Sequence, residues 1–148
     1  MILFFTTQDL VKISGRSMQP RIKNGDYALV NRLAYWFVTP KRGDIVYYQL
    51  PTFGGSESAI GRIVGLPGET VGFLDGKVTI NGKMLAEDYL ADDTETDANK
   101  VKGNEIVLGL NEYVILGDNR GLSRDSRTEG PISRKAIGGK FWLVDLSL

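Results

Sequence analysis

Short runs of β-branched and aromatic residues recur along the chain, and turn-forming pairs separate them. Lys77–Ile80 is the clearest run, because Asp75-Gly76 precedes it and Asn81-Gly82 follows it. Asp-Gly and Asn-Gly pairs between such runs are typical of tight hairpin turns. No stretch repeats apolar residues at the 3.6-residue period of a helix. The pattern therefore predicts an all-β protein, with further strands at 27–30, 45–48, 60–64, 113–116 and 141–144.

An acidic stretch divides this pattern. Residues 72–111 are more acidic and less apolar than the segments on either side, and Asp and Glu are most frequent within 87–97. A run of like charges is usually a solvated face. We therefore expect 87–97 to form a solvated loop or extended excursion outside the core.

Length, charge and composition exclude several classes of function. The 148 residues are enough for one compact domain, or for a core with a subsidiary lobe. Lys plus Arg equals Asp plus Glu, at 18 each, so no net field favours nucleic acid. Cysteine is absent, which excludes disulfides and thiol chemistry. Histidine is absent too, so a metal site would need a carboxylate cluster. We predict neither metal nor cofactor.

Four segments carry the candidate chemistry: 14–20, 41–46, 61–69 and 117–127. They read Ser-Gly-Arg-Ser-Met-Gln-Pro, Lys-Arg-Gly-Asp-Ile-Val, Gly-Arg-Ile-Val-Gly-Leu-Pro-Gly-Glu and Gly-Asp-Asn-Arg-Gly-Leu-Ser-Arg-Asp-Ser-Arg. In sequence and order they resemble the boxes of type I signal peptidases, which are membrane-anchored serine peptidases that remove signal peptides outside the cytoplasm. The resemblance covers about residues 12 to 148, and the short inserted segment is similar to that of Gram-positive members.

The resemblance implies a division of the chain into two parts. Residues 1–71 and 112–148 would form a catalytic-type β-core of antiparallel sheets, and 72–111 would form a small inserted β lobe. It also implies a membrane anchor before the serine box. The apolar start, 1–5, is then either a buried first strand or the end of such an anchor. No run of about 18 apolar residues is present, so nothing in the sequence itself predicts a bilayer span.

The position of the general base is the main departure from the family pattern. A serine hydroxyl needs a neighbouring base at neutral pH, and without histidine a Ser-His-Asp triad is impossible. The resemblance makes Ser17 the nucleophile of a Ser-Lys dyad and places the lysine at residue 61, which is Gly61. Ser123 matches the serine that hydrogen-bonds this lysine. We therefore expect an impaired site, with a void or water where the ammonium would lie beside Ser123.

By the same resemblance, the remaining residues of the four segments are expected to support the site. The backbone N–H of Ser17 would help form the oxyanion hole, and Gly15, two residues earlier, offers no side-chain donor. Asp125 is expected to pair with Arg62 and Arg127 by bidentate hydrogen bonds that fix the loop to the core. Asp118 and Ser126 complete the predicted polar network.

Two functional hypotheses follow. The first is an extracytoplasmic, membrane-anchored accessory or chaperone factor, similar to the degenerate homologues encoded in Gram-positive pilus gene clusters, which holds an extended signal-peptide or pilin segment without cleaving it. The second is an active signal peptidase that cuts after small residues. It would need a substitute base, with Lys12, Lys100 and Lys102 as the candidates, or Gly61 would be an engineered change from lysine.

Two further motifs have alternative interpretations. Arg42-Gly43-Asp44 is an integrin-type tripeptide, but a glycine turn before the 45–48 strand explains it structurally. The cluster 35–38, Tyr-Trp-Phe-Val, is either a corner of the core or an exposed patch that contacts lipid or a partner.

Overall fold

A computed structural model describes residues 8–101 and 103–144 of the chain. The apolar segment 1–5 and Lys102, for which the sequence offered interpretations, lie outside these residues. Among the described residues, no helix has the length and apolarity needed to cross a bilayer.

The larger of two antiparallel sheets holds seven strands in the order β1-β2-β11-β3-β4-β9-β10. Their bounds are β1 Gln8–Lys12, β2 Tyr27–Asn31, β3 Ile45–Thr52, β4 Gly55–Gly65, β9 Glu112–Leu116, β10 Ile132–Ser133 and β11 Ile137–Val144. The smaller sheet has the order β7-β6-β5-β8, with β5 Thr70–Leu74, β6 Lys77–Ile80, β7 Lys83–Met84 and β8 Glu105–Val107. The smaller sheet is therefore inserted between β4 and β9.

Helix is scarce, as the sequence predicted. Within 8–101 and 103–144 the structure has one α-helix, α1, at Ser126–Glu129, and two 3-10 turns, at Ala98–Lys100 and Arg134–Ala136. The turn pairs on either side of β6 have the left-handed backbone that their composition predicts. Asp75 and Gly76 have φ of 49° and 72°, and Asn81 and Gly82 have φ of 49° and 80°.

The buried apolar side chains of the described residues form three clusters. The first lies between β3, β4 and β9 and includes Tyr48, Ile63 and Ile115, all nearly inaccessible to solvent. The second joins the two sheets, since Val114 of β9 packs in the same cluster as Val71 of β5. The third surrounds the segment that follows β1. The first and third clusters cover opposite faces of β4, because side chains alternate along a strand.

The predicted strands are confirmed and extended. The runs at 45–48 and 60–64 form the central parts of the longer hairpin strands β3 and β4. Lys12 was expected on a strand that leads into the Ser17 segment, and β1 ends at this residue; strands β5, β7, β8 and β10 were not predicted. The limits of the two parts of the chain, at residues 72 and 111, stay a prediction.

Candidate active site

The loop that carries Ser17 follows β1 and is tied to the 117–127 loop by backbone contacts. The Asn119 N–H donates to the Ser17 carbonyl at 2.8 Å, and the Asn119 side-chain amide donates to the Arg16 carbonyl at 3.1 Å. Gly15 has φ of 117°, a conformation that L side chains rarely adopt, and its N–H donates to Asn24 Oδ1 at 3.0 Å. Two of the four segments that carry the candidate chemistry, 14–20 and 117–127, are therefore held together by hydrogen bonds.

Gly117 lies against both the Ser123 side chain and the Ser17 backbone. A Cβ on Gly117 would lie 2.5 Å from the Cβ of Ser123 and 2.6 Å from the Ser17 carbonyl oxygen. Both distances are shorter than real Cβ contacts, so this position has room for glycine alone. Ser123 and the backbone of Ser17, the predicted nucleophile, thus both lie next to Gly117, directly after the end of β9.

A cleft of about 450 Å³ lies beside Ser17. One wall is the segment from β1 to Ser17, and the other is the first half of β4. Its apolar part is lined by Ile13, Met18 and Ile60. At its polar rim, Arg124 Nη1 lies 3.5 Å from Glu57 Oε1. Its size and mainly apolar lining are typical of a small-ligand or peptide site.

The cleft is also bordered by two strand edges with free backbone groups. β1 pairs with β2 alone among the described strands, and β9 pairs with β4 only from Arg62 onward. The β4 edge from Gly55 to Gly61 therefore lacks a strand partner on the cleft side within the described residues. Such edges accept an added strand.

The side-chain space of Gly61 is filled by its neighbours. A Cβ on Gly61 would lie 2.6 Å from Ile115 Cγ2, 3.3 Å from Tyr48 Cε1 and 3.3 Å from the Leu116 carbonyl oxygen. The void or water expected beside Ser123 concerns the ammonium, several bonds further along a lysine side chain, and stays a prediction. At the Cβ position itself an apolar methyl group and an aromatic ring lie in contact. Cross-strand geometry explains this, since Ile115 opposes Ile63, which faces the same side of β4 as Gly61.

Tyr48 does not supply a base in place of the lysine. Burial, together with the negative charges of Asp125 and Glu57, raises the pKa of the Tyr48 phenol. Its hydroxyl therefore stays protonated at neutral pH and cannot take a proton from a serine. Sequence reasoning missed Tyr48 and Ile115 as parts of the site, because both read as ordinary strand residues.

The predicted partner of Arg62 was wrong. Arg62 donates from Nε and Nη2 to the two carboxylate oxygens of Asp118, at 2.9 and 2.7 Å, and from Nη1 to the Gly43 carbonyl at 3.0 Å. Both ionic side chains are almost fully buried. The Tyr89 ring covers the guanidinium, with 3.9 Å from its centroid to Cζ. Arg62 of β4 pairs with Leu116 of β9, which brings Asp118, two residues further on, within reach.

Asp125 pairs with Arg127, as predicted. Arg127 Nε and Nη2 donate to the two oxygens of Asp125, each at 2.9 Å, and the Gly117 N–H donates to the same carboxylate at 3.0 Å. Ser126 is fully buried and its Oγ accepts from the Ile115 N–H at 2.9 Å. Arg127 Nη1 is buried without a partner among the described residues. These contacts hold the 117–127 loop against β9.

A third buried arginine connects the loop to the acidic stretch. Arg120 is 1% exposed, and its guanidinium donates to the Glu87 carboxylate at 2.5 and 3.2 Å and to Thr96 Oγ1 at 2.6 Å. Burial opposes the charged form, but the hydrogen bonds from Arg120 to Glu87 raise the pKa of Arg120 overall. The solvated character predicted for 87–97 is therefore wrong at Glu87 and Thr96, whose side chains are buried.

The Arg42-Gly43-Asp44 tripeptide is engaged within the protein. Arg42 donates to both oxygens of Glu69 and to the Val64 carbonyl. Asp44 accepts from Lys140 Nζ and from the Tyr35 hydroxyl, each at 2.8 Å. Neither charge is free to bind an external receptor, so the structural interpretation of this motif holds.

The aromatic cluster 35–38 divides between the two interpretations. Tyr35 is 7% exposed and packs in the first core cluster, whereas Trp36, Phe37 and Val38 are 71%, 95% and 57% exposed. Its first residue is thus a core residue, and the other three form a projecting apolar patch.

The alternative lysines lie in different surroundings. Lys12 contributes to the lining of the Ser17 cleft, and its ammonium lies 5.8 Å from the centroid of the Tyr27 ring. Lys100 Nζ donates to the carbonyls of Arg120 and Gly121, at 3.4 and 3.1 Å. Among the residues that the structure describes, no group of three or more acidic side chains is placed to hold a metal ion.

Comparisons with known proteins show which family the chain resembles. The sequence profile of the family described as "Signal peptidase, peptidase S26" matches residues 1–144. The chain is 37% identical over 137 residues to Signal peptidase I V of Bacillus subtilis, an alignment that covers 86% of this chain and 80% of that protein. It is 30% identical over 162 aligned positions to Signal peptidase IB of Staphylococcus aureus, with 96% and 83% covered.

A solved structure has the same fold. The crystal structure of a signal peptidase I from Enterococcus faecalis V583 superposes with a TM-score of 0.57 at 32% sequence identity. The match covers 69% of this chain and 96% of that one.

Proposed function

Because the chain belongs to the signal peptidase family, peptidase S26, we propose that it binds an extended segment of a secreted precursor and releases it without efficient cleavage. The carrying observation is the state of residue 61. Glycine has no group that accepts a proton, and Ile115 and Tyr48 occupy the space that a longer side chain would enter. Ser17 therefore lacks the base that the resemblance places at this position.

The expected loss of rate is large. In another serine protease, removal of the base alone costs about 10⁶ in turnover, which corresponds to about 8 kcal/mol of barrier. Arginine cannot substitute, because guanidinium does not release its proton in proteins. Lys100 donates to carbonyls of the 117–127 loop, which supports the proposal that it does not replace the missing base.

Peptide binding does not need the missing base. The cleft and the two open strand edges offer backbone donors and acceptors to an extended chain, and the apolar lining offers pockets for its side chains. The Ser17 N–H makes no hydrogen bond to another described residue, which leaves it available to a peptide carbonyl. These features support recognition of a signal-peptide or pilin segment.

The cellular setting of this proposal comes from the resemblance. An accessory or chaperone role in pilus assembly on the extracytoplasmic face of the membrane matches the degenerate homologues of Gram-positive pilus clusters. The membrane anchor and the pilin partner are parts of this proposal.

The test is binding and cleavage of a fluorescent signal-peptide substrate by the unaltered chain. We expect saturable binding and no product. Ser58→Trp, which places a large side chain in the cleft, should weaken binding at least about tenfold, or about 1.4 kcal/mol. Ser56→Trp is the matched control, because Ser56 lies on the same exposed strand outside the cleft lining. Turnover by the unaltered chain would refute the proposal.

One observation favours a second candidate, an active signal peptidase that uses Lys12. Lys12 and Ser17 line the same cleft. If Lys12 acts as the base, Lys12→Met should abolish cleavage while peptide binding persists. If the first proposal holds, the chain makes no product with or without this change.

A further inference from the structure

We propose that Ile115 and Tyr48 form a second barrier to catalysis, in addition to the absent base. They occupy the space that a side chain at residue 61 needs, so a lysine placed there can act on Ser17 only after Ile115 has been shortened. This inference rests on the proposed function, in which the unaltered chain does not cleave. It goes further, because it says that restoring the lysine alone is not enough.

Ile115 is the larger obstacle of the two. Its Cγ2 lies 2.6 Å from the position of a residue-61 Cβ, well inside van der Waals contact. Cγ2 is bonded directly to Cβ, so it moves only by rotation about χ1, and β-branched side chains are stiff at χ1. The Ile115 backbone is also fixed, because its N–H donates to the buried Ser126 Oγ. The side chain is 0% exposed, which leaves no solvent space for it to enter.

Tyr48 closes the other side of the same space. Its Cε1 lies 3.3 Å from the residue-61 Cβ position, and the residue is 1% exposed. A displacement of a few tenths of an ångström would relieve this contact. The ring therefore narrows the space, whereas the Ile115 methyl group blocks it.

Shortening Ile115 would open an apolar chamber of the kind that a catalytic lysine needs. Ile115→Ala removes Cγ2 and leaves the surrounding core residues in place, including Ile63 and Tyr48. A lysine stem packed there would have its ammonium partly desolvated, which favours the neutral amine. The neutral lysine would take the proton of Ser17 as Oγ bonds to the carbonyl carbon of the peptide. When the C–N bond of the peptide breaks, the lysine would pass this proton to the departing amino group of the product. Water would then hydrolyse the resulting ester.

The decisive measurement is cleavage of a signal-peptide substrate by four variants. We expect at most trace product from Gly61→Lys alone and none from Ile115→Ala alone. Gly61→Lys with Ile115→Ala should exceed Gly61→Lys at least about tenfold in kcat/KM, with an acid limb in the pH profile that reports the lysine. Gly61→Lys with Ile132→Ala is the matched control. Ile132 is as buried as Ile115 and belongs to the same cluster, but none of its atoms is among the three nearest to a Gly61 Cβ.

Three outcomes of this measurement would overturn the inference. The first is cleavage by Gly61→Lys at the rate of the variant that also carries Ile115→Ala. The second is an equal gain from Ile132→Ala, since the relief would then not be local. The third is no product from Gly61→Lys combined with Ile115→Ala.

Thermal unfolding tests the same contact without any activity. Gly61→Ala adds the blocked Cβ and should lower the unfolding midpoint by about 2–10 °C. In the Ile115→Ala background the same change should lower it by much less. Equal losses in the two backgrounds would overturn the inference. Cleavage by the unaltered chain would refute the proposed function instead. The effect of Ile115→Ala on the destabilisation caused by Gly61→Ala could still be measured in that case.

Discussion

Asp118→Asn is expected to destabilise the protein far more than its small change in shape suggests. Arg62 directs two hydrogen bonds at the Asp118 carboxylate, and the side chains are 6% and 1% exposed. Asparagine keeps the shape but carries no charge and offers one acceptor oxygen. The guanidinium would then be buried with the Gly43 carbonyl and the face of Tyr89 as its main remaining partners.

The magnitude follows from the burial of the pair. Removal of one partner from a buried ion pair costs about 3–5 kcal/mol, because the other charge stays buried without compensation. For a chain of this size, that corresponds to a fall of about 6–20 °C in the thermal midpoint. Replacing both partners with apolar residues, as in Arg62→Met with Asp118→Leu, should cost less than Asp118→Asn alone.

Urea unfolding followed by tryptophan fluorescence measures this free energy. Arg124→Gln is the matched control, because its ion pairs with Glu57 and Glu129 lie at the surface, with 49% of the Arg124 side chain exposed. Exposed ion pairs contribute little to stability, because water screens the charges. If Asp118→Asn costs no more than Arg124→Gln, the reasoning from burial is refuted.

Three further outcomes are expected. Gly117→Ala should lower stability by about 1–3 kcal/mol or prevent folding, since the new Cβ meets Ser123 and the Ser17 backbone; unchanged stability in a urea titration would contradict this. Glu87→Gln should cost about 3–5 kcal/mol, because it leaves Arg120 buried without its carboxylate, and hydrogen exchange should rise first in 87–97. The pKa of Glu69 lies below its ordinary 4.5, because hydrogen bonds from Arg42 outweigh the opposing effect of burial. The stability that this provides is complete above about pH 4.5 and is lost as the pH falls through the lowered value, so Glu69→Gln should flatten the acid side of the stability profile.

The sequence predicted the strand-rich fold because the signals are local. Asp75-Gly76 and Asn81-Gly82 adopt the left-handed turns that their composition favours, and β6 lies between them. Strands β8 and β10 escaped prediction because they are only three and two residues long. A period of two residues cannot be recognised in so short a segment.

The polar network was predictable in its members but not in all its pairings. The 117–127 loop offers Arg62 two candidate carboxylates, Asp118 and Asp125. The pairing register of β4 and β9 determines which of them contacts Arg62. That register shifts between Ile63 and Gly65, a β-bulge that no local pattern announces. The filling of the space at Gly61 was also beyond the sequence, because it depends on a cross-strand contact with Ile115.

The burial of Arg120 sets a limit on how far the insertion between β4 and β9 can be trimmed. Its partners Glu87 and Thr96 belong to the insertion, whereas Arg120 belongs to the loop that follows β9. A shorter homologue, or a designed deletion, that drops these two partners must also give up the arginine or supply an acid from elsewhere. Length variation in this part of the molecule should therefore be confined to the hairpins of β5, β6 and β7, which precede Glu87. The segment from Glu87 to Thr96, which contacts Arg120, should change only together with Arg120.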